Sequence, residues 1–311
     1  MTRHGGRAAH GRRFLAVCTA RLCVACVACA LPLAGCLSIP TQPRALLVRD
    51  DGSVRVQTLQ CSRSVEATLV PTAERPQGLD PDGIRLVTWN IHKQSDPGWQ
   101  RDLRRFANRS DLVLLQETVL DPSLRAVIDD EGMRFVMASS FLASNVDIGV
   151  LTASRVAPVA NCTQRFVEPL LRIPKSAVIS WFPLQGEAQT LAVVNLHAIN
   201  FSLSLGTYRA QIDAIADALA GHSGPLVVAG DFNTWTDERA AAVRTLAARL
   251  DLTEVRFAHD HRSHFFGHEL DHIYVRSLAP LATSTAEVRS SDHNPVAATL
   301  RVERVGRGSE H

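Results

Sequence analysis

Past residue 36 the chain is nearly free of cysteine. Five of its seven cysteines lie at or before Cys36, leaving only Cys61 and Cys162. The body of the protein can therefore hold one internal disulfide at most, not a disulfide framework. Long apolar runs are also missing. The longest apolar stretch, in the first 35 residues, has about 14 clearly apolar residues, against the roughly 20 that a span needs. Positive charge is scarce once that leader is set aside. The formal +2 includes five leader arginines, and without them 28 basic residues face 31 acidic ones, about −3. This balance excludes a global basic field that gathers nucleic acid, while a local basic groove stays open. Aromatics make up 5%, and the basic–aromatic interleaving of nucleic-acid grooves is weak. The chain has no internal repeat and no low-complexity tract.

What is present is ordinary globular composition, 46% hydrophobic and 21% charged, with ample material for a core. The leader "MTRHGGRAAHGRR" is basic and lacks acidic residues, and "LCVACVACALPLAGC" follows it. A positive segment, a short apolar segment and small residues before a cleavage point read as a secretory signal, residues 1–35. "LAGC" resembles the lipobox of bacterial lipoproteins. The resemblance implies acylation at Cys36 and a lipid anchor in the cell envelope, at a periplasmic or extracellular face. Leu37 after that cysteine, where Asp could stand, favours the outer membrane. A plain signal peptide or a retained anchor helix are the other readings. In an oxidising compartment Cys61 and Cys162 either pair or remain free thiols.

Residues 36–83 read as an N-terminal extension. "ALLVRDDGSVRVQTLQC" has two β-type runs around Asp-Gly, a hairpin signal, and "VPTAERPQGLDPDG" reads as a linker. From 84 to 303 nine short β-rich runs follow: "IRLVTWN", "DLVLLQET", "RFVMASS", "IGVLTAS", "AVISWFP", "TLAVVNLH", "PLVVAGD", "DHIYVR" and "NPVAATLRV". Three helical patterns lie between them. One carries Trp99, Leu103 and Phe106 on a face, one Tyr208, Ile212, Ile215 and Leu219, and one starts after Thr236 as a plausible cap. Many strands with interleaved helices predict a layered α/β domain, with 304–311 as a tail.

Several runs end in residues that a buried strand would not choose for packing: Asn90, Glu117, His197, Asp231 with Asn233, Asp271 with His272, and Asp292 with His293. Polar groups on strand ends are a common way to build a site on one rim of a sheet. Oxygen donors from Glu, Asp and Asn suit Mg²⁺ or Mn²⁺, and the histidines suit proton transfer or charge stabilisation. Zinc is not the first expectation. Each signal alone has a plain structural reading: Asp-x-Asn is usually a turn or a cap, and Asp-His-Asn-Pro a turn initiator. On an extended segment, Asp231 and Asn233 would point to the same side.

Order and combination carry more. "TWN", "LQE", "NLH", "GDFN", "LDH" and "SDHNP" occur in the order seen in the endonuclease/exonuclease/phosphatase superfamily, which this chain resembles over about residues 84–302. "WNIHKQ" and "FFGHELDHIYVR" look closest to its YafD-type bacterial branch. The resemblance implies a DNase I-like four-layer α/β/β/α sandwich with a site on one rim. It implies Glu117 as principal metal ligand with Asn90, and Asp292 as a further ligand. Asp231 would activate water, Asn233 would hold phosphate, and His293 would stabilise its charge, oriented by Asp271. His197 and Asn200 would line the leaving-group side. Arg209, beside Tyr208 at a helix start, either faces the cleft or is helix surface.

Five histidines, His259, His261, His264, His268 and His272, crowd one segment. A solvated loop is the plainer reading; a substrate loop or extra metal site is the sharper one. Arg256 and Arg262 there could meet phosphate. Trp99 reads as core, and Trp181 and Trp235 as packing or cleft. The expectation is a Mg²⁺-dependent phosphoester hydrolase of the envelope, monomeric, acting on a nucleic-acid or phospholipid phosphodiester. The alternatives are a non-catalytic envelope binding protein with the same fold, or a phosphomonoesterase on sugar or inositol phosphates.

Overall fold

The computed structural model describes residues 37–48, 51–61, 78–202 and 205–304. The lipidation expected at Cys36 and the tail beyond 304 fall outside them. In chain order the strands begin with β1 (Leu37–Ser38), β2 (Arg44–Val48), β3 (Val54–Gln57), β4 (Ile84–Asn90), β5 (Leu112–Val119) and β6 (Arg134–Ala143). They continue with β7 (Val146–Ser154), β8 (Ala160–Val167), β9 (Pro174–Pro183), β10 (Thr190–His197), β11 (Leu226–Asp231) and β12 (Thr253–Glu254). The last are β13 (His264–Phe265), β14 (His268–Glu269), β15 (Asp271–Arg276), β16 (Leu278–Thr285) and β17 (Val296–Val302). The helices are α1 (Trp99–Ala107), α2 (Pro122–Asp130), α3 (Gly206–Ala218) and α4 (Asp237–Arg249).

A nine-stranded sheet runs β16-β17-β4-β5-β7-β6-β2-β3, with β1 also on β6, and a six-stranded sheet runs β12-β15-β11-β10-β9-β8. The two sheets pack face to face, and helices cover both outer faces. The strand sequences show why. In β5, Leu112 and Leu114 join Val193 and Val227 between the sheets, while Val113 and Leu115 pack under Trp99 and Leu103 of α1 and Val127 of α2. In β10, Leu191 and Val193 face the other sheet, while Ala192 and Val194 face Tyr208 and Ile212 of α3 and Val243 and Leu246 of α4. Strands buried on both faces read as continuous apolar runs, not alternation. Each such side chain contributes about 1.5–3 kcal/mol of burial. The layers are α/β/β/α, as the sequence resemblance implies.

All nine apolar runs are strands, and Thr236 caps α4 by accepting from Arg239 N. Sequence reading misses β8, β16 and α2. β8 and β16 are edge strands of their sheets, so their residues stay partly exposed and apolar patterning is diluted. β16 also carries Pro280 at a bulge. α2 begins with Pro122 after the capping Asp121, a start signal on a short helix.

The N-terminal extension is woven into the domain. Its predicted hairpin is real: β2 pairs with β3 and adds to β6. Beyond it, Cys61 and Cys162 are joined in a disulfide that ties the extension to β8, beside main-chain bonds linking Leu59 and Cys61 to Thr163. The extension thus touches both sheets.

Candidate active site

Each sheet contains one parallel strand pair. β4 and β5 run parallel with Asn90 beside Gln116, and β10 and β11 run parallel with His197 beside Asp231. Crevices at the C-terminal ends of parallel strands are where open α/β sheets bind ligands. β15, antiparallel to β11, starts on the same rim with Asp271 opposite Asp231. The loop before β17 brings in His293.

Local backbone aims these groups. Gly230 lies against Leu196, and a Cβ there would come within 2.0 Å of the Leu196 carbonyl oxygen. Only glycine allows the close approach of β10 that sets His197 beside Asp231. In β5 the register shifts between Leu115 and Thr118, and Glu117 has φ +53°. This bulge turns Glu117 into the site instead of back into the sheet. His92, Lys93 and Gln94 also have positive φ, near +50°. Left-handed conformations in such residues cost energy and cluster at functional sites.

Asp231 is 2% exposed. Its Oδ2 accepts from Asn90 Nδ2 at 3.0 Å, and its Oδ1 accepts from Asn233 N at 2.9 Å. His197 Nε2 lies 3.4 Å and His293 Nε2 3.9 Å from Asp231 Oδ2. The expectation that strand alternation aligns Asp231 with Asn233 needs correction. β11 ends at Asp231, Asn233 has φ +50°, and a side-chain-to-backbone turn joins the two. Asn233 Nδ2 donates to the Ala198 carbonyl at 3.1 Å.

His293 Nδ1 donates to Asp271 Oδ2 at 2.7 Å, the pairing implied by the sequence. Burial opposes its charge, but the Asp271 and Asp231 carboxylates overcome this and push the imidazole up to about 10. His293 is an imidazolium at neutral pH. Asp271 Oδ1 is buried without a hydrogen-bond partner.

Glu117 sits at the other end. Its carboxylate bonds Lys93 Nζ, with Lys175 Nζ at 3.5 Å and His197 Nε2 at 3.8 Å. Burial raises the Glu117 carboxyl, yet the neighbouring His197, Lys175 and Lys93 hold it well below the usual carboxylate range. His197 is itself pushed down to about 4, chiefly by burial and then by Lys175. It is neutral at neutral pH, so the two lysines supply the charge that keeps Glu117 ionised. His197 Nε2 accepts from Lys175 Nζ at 2.8 Å, which puts the ring proton on Nδ1.

Asp231, Asp271 and His293 present ligand atoms within 4.8 Å of one another, a group that could hold a metal ion. As an imidazolium His293 is a poor ligand, because Nε2, the nitrogen left free by the Asp271 bond, is protonated too. The Glu117 end suits a hard cation better: an ionised carboxylate there has drawn in two ammonium groups, and the amide of Asn90 is nearby on Asp231. A pocket of about 160 Å³ opens here, lined by Lys93, Glu117, Lys175, His197, Leu171 and Phe201. A larger cleft, about 380 Å³, lies on the flank between α1 and β16–β17, away from every catalytic candidate.

Other expectations fall outside the cluster. Asp292 is 59% exposed and turns to His92 at 3.8 Å. Arg209 is exposed on the outside of α3, bonding none of these residues, while Tyr208 is fully buried and donates to the Phe232 carbonyl. Asn200 Oδ1 accepts from Trp235 Nε1 at 2.9 Å. His272 is buried and bonded to Glu254 at 2.7 Å, against the solvated-loop reading, whereas His259, His261 and His264 are exposed. Arg262 is neutralised by Asp260 and Glu254. The letters His-Glu-Leu-Asp-His at 268–272 spell a zinc motif, but that motif needs a helix. Here it spans β14 and β15, and His268 lies toward Asp237 at 3.8 Å.

Sequence reading missed Lys93, Lys175, Glu168 and Arg239. Arg239, 2% exposed, donates to the Ile199 and Asn233 carbonyls at 2.6 and 3.1 Å. Glu168 accepts from the backbone N–H groups of Asn200 and Phe201 at 2.8 and 2.7 Å. These two hold the loops that carry His197 and Asn233. Their only sequence signal is a charged residue within a mostly apolar setting.

Comparison with known proteins agrees with this arrangement. A UPF0294 protein of Yersinia pestis is 40% identical over 235 residues, 73% of this chain and 84% of that one. The catalytic domain of human Nocturnin, solved with a bound sulfate anion, superposes with TM-score 0.54 at 18% identity, covering 73% of this chain and 96% of that one. An endonuclease/exonuclease/phosphatase from Bacteroides vulgatus gives TM-score 0.57 at 20% identity over 71% of this chain and 99% of that one. Both superpositions show a common fold. Residues 87–293, which span Asn90, Glu117, His197, Asp231, Asp271 and His293, match one family throughout, and the chain belongs to the endonuclease/exonuclease/phosphatase family.

Proposed function

We propose that the protein is a metal-dependent phosphoester hydrolase that cleaves phosphodiesters. The observation that carries this reading is the pairing of two unlike centres on one rim. A buried carboxylate, Asp231, lies between neutral His197 and charged His293, and an ionised Glu117 stands a few ångströms away. Glu117 and Asn90 would hold Mg²⁺ (Mn²⁺ also fits), which when bound neutralises phosphate oxygens. Asp292, exposed here, could join only by turning inward. Asp231 takes the proton from the attacking water, whose oxygen forms the new bond to phosphorus as the ester P–O bond breaks. The His293 imidazolium stabilises the charge that builds on the phosphoryl oxygens, and Asp271 fixes its orientation. Asn233 shapes the phosphate side, while Lys175 and His197 face the leaving oxygen. The bound sulfate on human Nocturnin, which shares the fold, supports anion binding here.

The same reading places a monomer in the cell envelope, held to a membrane by acylated Cys36. The full chain would be assayed with and without Mg²⁺ on supercoiled DNA, RNA, sphingomyelin, phosphatidylinositol phosphates and bis(p-nitrophenyl) phosphate. Metal-dependent cleavage is expected, and Asp231→Ala should lower turnover by about 10²–10⁴-fold. Folded protein that binds Mg²⁺ weakly and cleaves nothing would favour the non-catalytic binding protein. Cys36→Ser should move the protein out of the membrane fraction; unchanged partition would refute the anchor.

A further inference from the structure

The large apolar side chains that remain on the surface are unevenly placed. Among the described residues ten such side chains are exposed. Seven of them, Val167 at the end of β8 included, stand around the catalytic rim. Leu170 and Leu171, 55% and 51% exposed, lie in the loop joining β8 to β9. That loop is on the rim because Val167 pairs with Pro174, at the strand end from which Lys175 enters the site. Phe201, 48% exposed, follows Asn200, and Leu171 and Phe201 line the mouth of the pocket.

On the opposite side of the site, Phe265 and Phe266 form the tip of the β13–β14 hairpin, 52% and 76% exposed. Their rings lie 4.3 Å apart. The hairpin is tightly turned: Phe266 and Gly267 both have positive φ. It is also firmly based. Ser263 Oγ donates to the Asp292 carbonyl, Leu270 N donates to the Ser263 carbonyl, and Asp271 of the site follows directly. A soluble surface has no reason to hold two phenylalanines away from every core on a rigid arm.

The seventh residue is Leu37, 51% exposed. β1 pairs Leu37 with Ala143 and Ser38 with Leu142 at the end of β6. β6 ends on the catalytic rim: Phe141 pairs with Ile148, Ile148 with Val119, and Phe141 and Ile148 line the same pocket as Glu117. The described chain therefore begins at the rim that holds the site, and Cys36 is the residue that precedes Leu37 in the sequence. Val56 and Leu281, also exposed, lie within the edge strands β3 and β16, away from that rim.

We infer that the catalytic rim is a membrane-docking face, set against the bilayer that carries the protein, and that the phosphodiester it cleaves belongs to a lipid headgroup. Residues 1–36, with their apolar leader and Cys36, are joined in sequence to Leu37, which stands beside the pocket with the other exposed apolar side chains. Phenylalanine and leucine then enter the interfacial layer on both sides of the pocket, and the phosphate plane of the bilayer comes level with Lys93, Lys175 and Glu117. The docking rests on this geometry and on the proposed anchor; the substrate class rests on the proposed phosphodiesterase activity.

The test separates the two. The full chain is reconstituted in vesicles of phosphatidylethanolamine and phosphatidylglycerol that contain a diazirine-bearing phospholipid, and adducts are mapped after irradiation. Adducts are expected on the peptides with Leu170–Leu171, Phe201 and Phe265–Phe266, and not on those with Val56 or Leu281. Labelling of Val56 and Leu281 equal to the rim, or none on the rim, overturns the docking. In the same vesicles a Phe265→Ser/Phe266→Ser variant should cleave vesicle phosphodiester about tenfold more slowly, with bis(p-nitrophenyl) phosphate cleavage unchanged. Equal loss on both substrates, or loss on neither, overturns the hairpin's role at the membrane. If the unaltered protein cleaves neither substrate, the phosphodiesterase reading fails, and the adduct map still decides the docking.

Discussion

The two ends of the site are built on different principles. At one end Asp271 and His293 are bound directly to each other: a buried carboxylate and an imidazolium share a 2.7 Å hydrogen bond. At the other end Glu117 has no fixed partner of its own kind, and two lysine side chains from different elements close on it. One of them, Lys93, is 46% exposed and the other, Lys175, 13%. A directly bonded pair of opposite charges favours one geometry, which suits a group that must meet developing charge. A carboxylate held ionised by mobile ammonium groups can release them when a stronger cation arrives. The difference assigns the fixed electrostatics to one end and the exchangeable cation to the other.

The contrast is broken most directly at Glu117. Glu117→Gln should weaken Mg²⁺ binding by at least about tenfold, read by titration calorimetry, with Mg²⁺-dependent turnover falling alongside. Unchanged Mg²⁺ affinity would move the cation to the Asp231, Asp271 and His293 group. A smaller effect, of a different kind, is expected at the Asp271–His293 end. The His293 imidazole is raised from its ordinary value of 6.5 to about 10. A raised basic group stabilises the fold fully below the unfolded value, and that contribution fades as pH rises toward and through about 10. Urea unfolding of the wild type should therefore lose stability between pH 7 and pH 10, and His293→Gln should lose less over that window. Parallel loss in both proteins would show that the Asp271–His293 pair is not what titrates. The smallest effect belongs to Arg209, on the outer surface of α3. Arg209→Ala should leave turnover within about twofold and KM unaltered, since such surface substitutions are usually near neutral. A large rise in KM would bring that helix start back into the cleft.

Much of this arrangement was legible in the chain before folding. Apolar runs buried on both faces stand out as strands, and each ends where its apolar character gives way to Asn90, Glu117, His197 or Asp231. The edge strands β8 and β16 were not legible, because a half-exposed strand has no reason to be uniformly apolar. Nor were Lys175 and Lys93, which are placed beside Glu117 by strand register and by a left-handed turn. Asp231 and Asn233 were read as a pair for a reason that does not hold; a turn aligns them, not strand alternation.

The sequence by itself determined which residues could do chemistry and in what order they arrive, because charged and amide groups at the ends of apolar runs are costly unless a rim receives them. Tertiary structure alone decided how they act. Only the stacking of two sheets brings His197 between Glu117 and Asp231, makes one histidine neutral and the other charged, and sets Leu37 on the same rim. Charge state and facing depend on what surrounds a group in space, and neighbours in space are chosen by packing rather than by order along the chain.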